Sequence, residues 1–205
     1  MTLLSKSDQE AVTAAINDVE RETDAELVTV LTAQSDNYSY IPLVWAGILA
    51  LLVPGIANYF GGWFSADLLM LVQWGMFVML SLVFRLPGIN TRLIPRQVRH
   101  WRASNLARRQ FLEQNLHHTR GGTGMLIFVS EAERYVEILV DQGIADVLDN
   151  RMWEGIVADF TAKVRQGKTR EGFLECIAAC GTLLKSNLPA THERNELPNH
   201  LVILD

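Results

Sequence analysis

The sequence predicts an α/β layered domain interrupted by a two-helix membrane hairpin, and three observations carry that expectation. Short β-rich runs and segments of helical apolar periodicity follow in the order helix, strand, hairpin, helix, strand, strand, helix, helix. Two uncharged apolar stretches, residues 41–60 and 68–84, stand between the first strand and the next helix. Residues 85–110 then carry seven arginines and no acidic residue, although the 205-residue chain is acidic overall at a formal charge of −5.

The first helix is announced by Ser7 and Glu10, an S-x-x-E capping pattern, with Val12, Ile16 and Val19 recurring at i, i+4 and i+7. The segment through Asp36 is acid-rich, with eight acidic residues against Lys6 and Arg21. Residues 25–33, AELVTVLTA, read as a strand that ends in polar QSDNYSY. One helix and one strand cannot cover each other's apolar faces, so the parts before and after the hairpin should build one domain. The expected boundaries are 1–40 for the first part, 41–86 for the hairpin, 87–188 for the second part and 189–205 for a tail.

No charge lies between Asp36 and Asp67, nor between Asp67 and Arg85. A run of about 17–25 apolar residues crosses a hydrocarbon core of roughly 30 Å as a helix. The first run meets this comfortably; the second is near the lower limit and is diluted by Gln73. Buried core helices would show polar positions at helical spacing, which these runs lack. The polar residues that precede the first run exclude a cleaved signal peptide. Pro54 and Gly55 fall mid-span, which membrane helices tolerate when a neighbour satisfies the freed carbonyl.

Orientation follows from the basic residues. The turn NYFGGWFSAD holds Tyr59, Phe60, Trp63 and Phe64 but no lysine or arginine. Arg85, Arg92, Arg96, Arg99, Arg102, Arg108 and Arg109 all follow the second run. Cytoplasmic loops retain such residues, so the turn should face outward and both termini the cytoplasm. The arginines then sit where anionic headgroups attract them, at about 1 kcal/mol each. The bilayer is therefore the expected partner, and no nucleic acid, since no nucleic-acid motif accompanies the basic run. A transporter or channel would need ionisable residues within its spans, and these have none.

In the second part, Pro95 opens a helix at its first turn. Val98, Trp101, Leu112 and Leu116 fall on one side of it, with arginines across much of the rest. Such a basic amphipathic helix can lie along a membrane surface or pack on the domain. HHTRGGTG is a loop, and MLIFVS and YVEILV flank EAER as a β-hairpin. Trp153, Ile156, Val157, Phe160 and Val164 form a helical stripe stopped by Gly167, and Phe173, Ile177, Cys180 and Leu184 form a second. The tail NELPNHLVILD either adds an edge strand or remains loose. Cys176 and Cys180, one helical turn apart, read as small packed residues in a reducing compartment, without the partners that zinc requires.

Four stretches together resemble the TPM domain family, also called the TPM phosphatase family. They are LSKSDQEAVTAAINDVERETDAELVTVL, then GTGMLIFVSEAERYVEILVDQGI, then DVLDNRMWEGIVADFTAKVRQGKTREGFLECIAACGTLL, and the hairpin itself. The hairpin stands where one bacterial membrane-protein branch of the family carries it. The resemblance implies a Rossmann-like α/β/α sandwich and placement in a bacterial inner (cytoplasmic) membrane. In some relatives it also implies divalent-cation binding and weak acid phosphatase activity; others serve in photosystem repair or associate with membrane receptors. The family turn often has Asp where Glu133 stands, and its G-x-G region reads DQG here.

Among the acids, Glu26, Asp141, Asp146 and Asp149 flank strand ends, with Asp24 close by, and hard oxygen ligands of this kind could hold Ca²⁺ or Mg²⁺. Arg134 could grip a phosphate oxygen in a bidentate way. Asp149 fits a helix cap as well as a ligand role, and Glu133 with Arg134 fits a solvated turn. His117 and His118 read as a solvated pair that could titrate or bind metal. GGTG lacks the Gly-Lys-Ser/Thr of a phosphate-binding loop, and no serine or cysteine shows an activating base. Two functions follow as expectations. One is a membrane-anchored binding or scaffold module with a membrane or cytoplasmic protein partner; the alternative is a weak divalent-cation-dependent acid phosphatase.

Overall fold

The computed structural model describes residues 4–86, 94–191 and 201–204. They fall into two compact units, one built from residues 1–35 and 100–205 and the other from residues 36–99.

The first unit is an α/β sandwich around a four-stranded sheet of order β3-β2-β1-β4. Strand β1 (Glu26–Thr32) lies inside the sheet, parallel to β2 (Gly124–Ser130) on one side and to β4 (Leu201–Leu204) on the other. Strand β3 (Tyr135–Val140) returns antiparallel to β2. All seven residues of β1 and of β2 are buried, as near-continuous apolar runs covered on both faces should be. The C-terminal tail thus supplies an edge strand. Its described residues pair with Thr29–Thr32, and nearer the start of β1 the Leu27 N–H donates to Glu20 Oε1 at 2.8 Å.

The period of two sorts side chains between the faces. Leu27, Leu31, Met125, Ile127 and Val129 meet the helices α1 (Lys6–Glu20), α6 (Arg151–Arg165) and α7 (Thr169–Asn187). Val28, Val30, Leu126 and Phe128 meet a single helix, α4 (Arg96–Glu113). Helices α6 and α7 bury the expected Trp153, Phe160 and Val164, and Phe173, Ile177, Cys180 and Leu184. Gly172 allows the Phe160 and Phe173 rings to meet edge-on with centroids 4.9 Å apart, because a Cβ there would lie 2.2 Å from Phe160. Gly167, at φ +73°, ends α6. Cys176 and Cys180 are buried free thiols, and the Cys176 thiol is pushed up by its hydrogen bond with Cys180 and by burial.

Three local expectations are corrected. The capping box of α1 lies at Ser5 and Asp8, not Ser7 and Glu10: the Asp8 N–H donates to Ser5 Oγ and the Ser5 N–H to Asp8 Oδ2, both at 3.2 Å. Ser5 has the extended backbone an N-cap requires, whereas Ser7 is already helical. The buried stripe of α4 is not the expected one. Ala103, Ala107 and Gln110 are buried, while Trp101 and Leu112 are 58% and 55% exposed. Phe128 and Leu126 already fill the sheet surface, so the helix approaches through alanines; Leu116 alone of the expected set is buried. A short helix, α5 (Gln142–Ala145), also follows β3, where the sequence predicts only a connection.

The second unit contains α2 (Tyr40–Gly61) and α3 (Ala66–Val83), both long and apolar enough to cross a membrane. They form a helical hairpin. Gly62 takes the left-handed φ of +60° that ends α2, and the Phe64 N–H donates to Asn58 Oδ1 at 2.7 Å. Ser65 caps α3, accepting the Leu68 N–H. Small residues Ala46 and Ala50, with Pro54, are the buried positions of α2 along with Pro42, and Gly47 faces Phe77 of α3. Pro54 has no N–H to offer the Ala50 carbonyl. One residue on, the Leu51 carbonyl accepts Gln73 Nε2 from α3 at 3.2 Å, so the residue that dilutes the second run joins the helices.

Candidate functional site

In open α/β sheets, chemistry gathers at the edge where parallel strands end. Here that edge is marked by Thr32 and Ser130. The turn from Glu131 to Arg134 docks on the chain leaving β1, with the Glu131 N–H donating to the Thr32 carbonyl at 3.1 Å and the Ala132 N–H to the Ala33 carbonyl at 3.0 Å. Glu133 folds inward and is buried. Its carboxylate accepts the Ser35 N–H at 3.2 and 3.3 Å and the Ser130 hydroxyl, and the Ser35 hydroxyl donates to Ser130 Oγ at 3.0 Å. Alongside, Thr169 at the start of α7 donates to Glu131 Oε1 at 2.7 Å.

This cluster corrects the reading of Glu133 as a solvated turn residue. It also gives Ser130 a carboxylate partner that no local sequence pattern reveals. Ser130 is fully buried, so the pair ties β2 to the end of β1 and presents no nucleophile to solvent. Arg134 sits exposed at the left-handed end of the turn, at φ +52°, its N–H donating to the Glu131 carbonyl at 3.1 Å.

The acidic candidates lie at the other edge. Glu26 opens β1, is buried, and donates its N–H to the Thr123 carbonyl at 3.0 Å. Asp141 follows β3 and N-caps α5, accepting the Gln142 N–H at 2.8 Å. Asp146 closes that helix and accepts Gln142 Nε2 at 2.7 Å. Asp149, one residue before the N-cap position Asn150, accepts the Arg151 N–H at 2.8 Å at the start of α6. Strands of seven residues at about 3.3 Å per residue separate this edge from Arg134 by roughly 20 Å. The structure therefore does not bring Arg134 to the carboxylates. Among the described residues, no three His, Cys, Asp or Glu side chains form a group that could hold a metal ion. His117 and His118 stand exposed on a 3₁₀ turn (Leu116–His118) with their rings 4.0 Å apart.

Between β3 and α4 lies a third polar group, which the sequence reading missed. Ser104 of α4 donates to Glu137 Oε1 at 3.2 Å, and the His100 ring packs on Tyr135 at 5.3 Å. Burial raises the Glu137 carboxyl above the usual range, and burial with the nearby Glu137 charge pushes Tyr135 up to about 12. A carboxylate at an inward position of YVEILV was the available signal. Of the basic run, Arg85, Arg96, Arg108 and Arg109 are exposed, Arg99 and Arg102 are half-buried, and Arg92 lies outside the described residues.

Comparison with known proteins places this geometry. The family model described as TPM domain matches residues 97–183, from α4 through most of α7. No curated protein matches the chain. Among solved structures, the chain is similar to the NMR structure of BA42 protein from the psychrophilic bacteria Bizionia argentinensis sp. nov., with 18% identity and a TM-score of 0.61. That likeness covers 98% of this chain and 94% of the other, and at this identity it concerns the fold alone. Helix α1, β1 and the hairpin precede the matched residues, and β1 completes the sheet that those residues begin. Residues 97–183 thus match the TPM domain, within a fold that is similar to that solved structure along nearly its whole length.

Proposed function

We propose that this chain is a TPM-domain protein anchored in a bacterial inner membrane by α2 and α3, and that it serves there as a binding or scaffold module for a membrane or cytoplasmic protein. The observation that carries the anchor is the surface of the hairpin. Helix α3 has no buried residue, and Leu51, Leu52, Ile56, Leu71, Trp74 and Leu82 are all exposed. An apolar surface this continuous needs a lipid environment or a large partner. A soluble core helix would be mostly buried, and a signal sequence would stand at the N-terminus; these helices do neither. The arginine asymmetry supports cytoplasmic termini, with the Gly62–Ser65 turn outside. The module reading is supported by the strand-end polar groups, which are engaged with one another in closing the sheet.

Membrane fractions washed with alkaline carbonate test the anchor: the full chain should stay in the pellet. Orientation is read by an impermeant thiol reagent on intact cells, using Ser65→Cys and Ser186→Cys chains. Labelling at position 65 alone is expected, and labelling at 186 alone would reverse the topology. Metal-dependent hydrolysis of a generic phosphomonoester by the purified chain would favour the phosphatase alternative over the module.

A further inference from the structure

The outward face of α4 combines large apolar side chains with arginines. Trp101, Asn105, Arg108 and Leu112 recur at spacings of four, three and four, which sets them along one stripe. Trp101 and Leu112 are more than half exposed, although the same helix buries alanines. Arg102 lies with its guanidinium 5.0 Å from the Trp101 ring centroid, and Arg109 pairs with Glu113 at 3.2 Å. From His100 to Leu112 there is no acidic residue. Helix α1, with Asp8, Glu10, Asp18 and Glu20 against Lys6 alone, covers the opposite face of the sheet. These two helices therefore place charge of opposite sign on the two sides of the sheet.

We propose that this stripe is a second membrane contact, by which the domain lies with α4 flat against an anionic bilayer surface. The inference rests on the anchor reading above. Tryptophan and arginine are interfacial residues: the ring sits at headgroup level while the guanidinium pairs with phosphate. An acidic chain approaching an anionic surface is repelled except through such a basic face. The link from Val83 to Arg96 is short, reaching roughly 45 Å when fully extended. A hairpin in the bilayer therefore holds α4 at high effective concentration near the headgroups, and weak contacts suffice to dock it.

The test uses the full chain in lipid nanodiscs made with and without phosphatidylglycerol in phosphatidylcholine. A polarity-sensitive dye is attached at Asn105→Cys, or at Glu10→Cys on the opposite layer; the native thiols are buried. With phosphatidylglycerol, the dye at 105 should shift to the blue and lose access to an aqueous quencher several-fold relative to position 10. Combined Arg102→Gln, Arg108→Gln and Arg109→Gln changes should abolish that difference. A dye equally wet at both positions, in chains that co-purify with the discs, overturns the docking and leaves the anchor intact. Protection that persists in the glutamine variant overturns it too, since a protein partner or apolar contact would then cover the face. A chain that does not enter discs overturns the anchor and the docking together.

Discussion

Gln73 donates its side-chain amide across the hairpin to the Leu51 carbonyl, 3.2 Å away and three residues before Pro54. It is the one long polar side chain of α3 beyond its first turn, and it is spent on the helix partner. Gln73→Leu would make the span more apolar while leaving that carbonyl without its side-chain donor. We expect the hairpin to lose about 0.6 kcal/mol, the average for hydrogen bonds between membrane helices, and at most about 1.7 kcal/mol. Denaturation in mixed micelles measures this, and an unchanged or raised midpoint would show that the bond contributes nothing.

The Glu133 carboxylate should matter to stability far more than its place in a tight turn suggests. Glu133→Ala leaves the Ser35 N–H and the Ser130 hydroxyl without their acceptor in a buried site. The expected cost is about 2–3 kcal/mol, and Glu133→Gln should recover part of it. Chemical denaturation of the detergent-solubilised protein reports both. Equal stability of all three chains would remove the cluster from the account of the fold.

Glu137 gives a pH dependence of defined sign. Its folded carboxyl is raised by burial, so the folded state favours the protonated form. The stability it contributes is present below the unfolded value and lost as pH rises through the folded one. Glu137→Gln mimics the protonated form and can still accept from Ser104. It should raise the melting temperature at neutral pH and make little difference at about pH 4, near the ordinary carboxylate value. A gain of the same size at both pH values would assign the effect to packing.

Two glycines hold backbones too close for any side chain. A Cβ at Gly143 would lie 2.0 Å from the Gly121 carbonyl oxygen, and one at Gly124 would lie 2.1 Å from that of Leu116. Gly143→Ala and Gly124→Ala should each destabilise by about 1–3 kcal/mol or more, because backbone must shift to admit the methyl. Gly155→Ala, where the added methyl meets nothing within 4 Å, should be neutral or slightly stabilising and serves as the control.

The backbone N–H groups held by Asp141 and Asp149 bear on metal binding. Each carboxylate is engaged with its own helix start. Thermal melts with Ca²⁺ or Mg²⁺ against chelator are therefore expected to coincide. A bound ion would instead stabilise by about 2.7 kcal/mol at a hundredfold excess over Kd. A rise that disappears in Asp141→Asn would establish a metal site in spite of those hydrogen bonds.

The sequence by itself determined the elements and their order, except for the short helix α5 and the edge strand β4. Val12–Ile16–Val19, the uncharged runs of the hairpin, MLIFVS with YVEILV, and the stripes of α6 and α7 are each legible because burial imposes the period of the local structure on apolar residues. What it could not determine was which residues meet across the chain. Ser35 reaches Ser130 and Glu133 over 95 and 98 positions, and no local pattern records that contact. The acids at 141, 146 and 149 read as clustered because they are near in sequence; in space Asp141 and Asp146 both engage Gln142 and Asp149 turns to the Arg151 N–H, at the edge opposite Arg134. The buried stripe of α4 departs from its apolar periodicity for a related reason. Hydrophobicity ranks Trp101 above Ala103, but the sheet beneath was already filled by Phe128, and close packing admitted only the alanines. Composition decides what must leave water, whereas the shape of the opposing surface decides which side chains do.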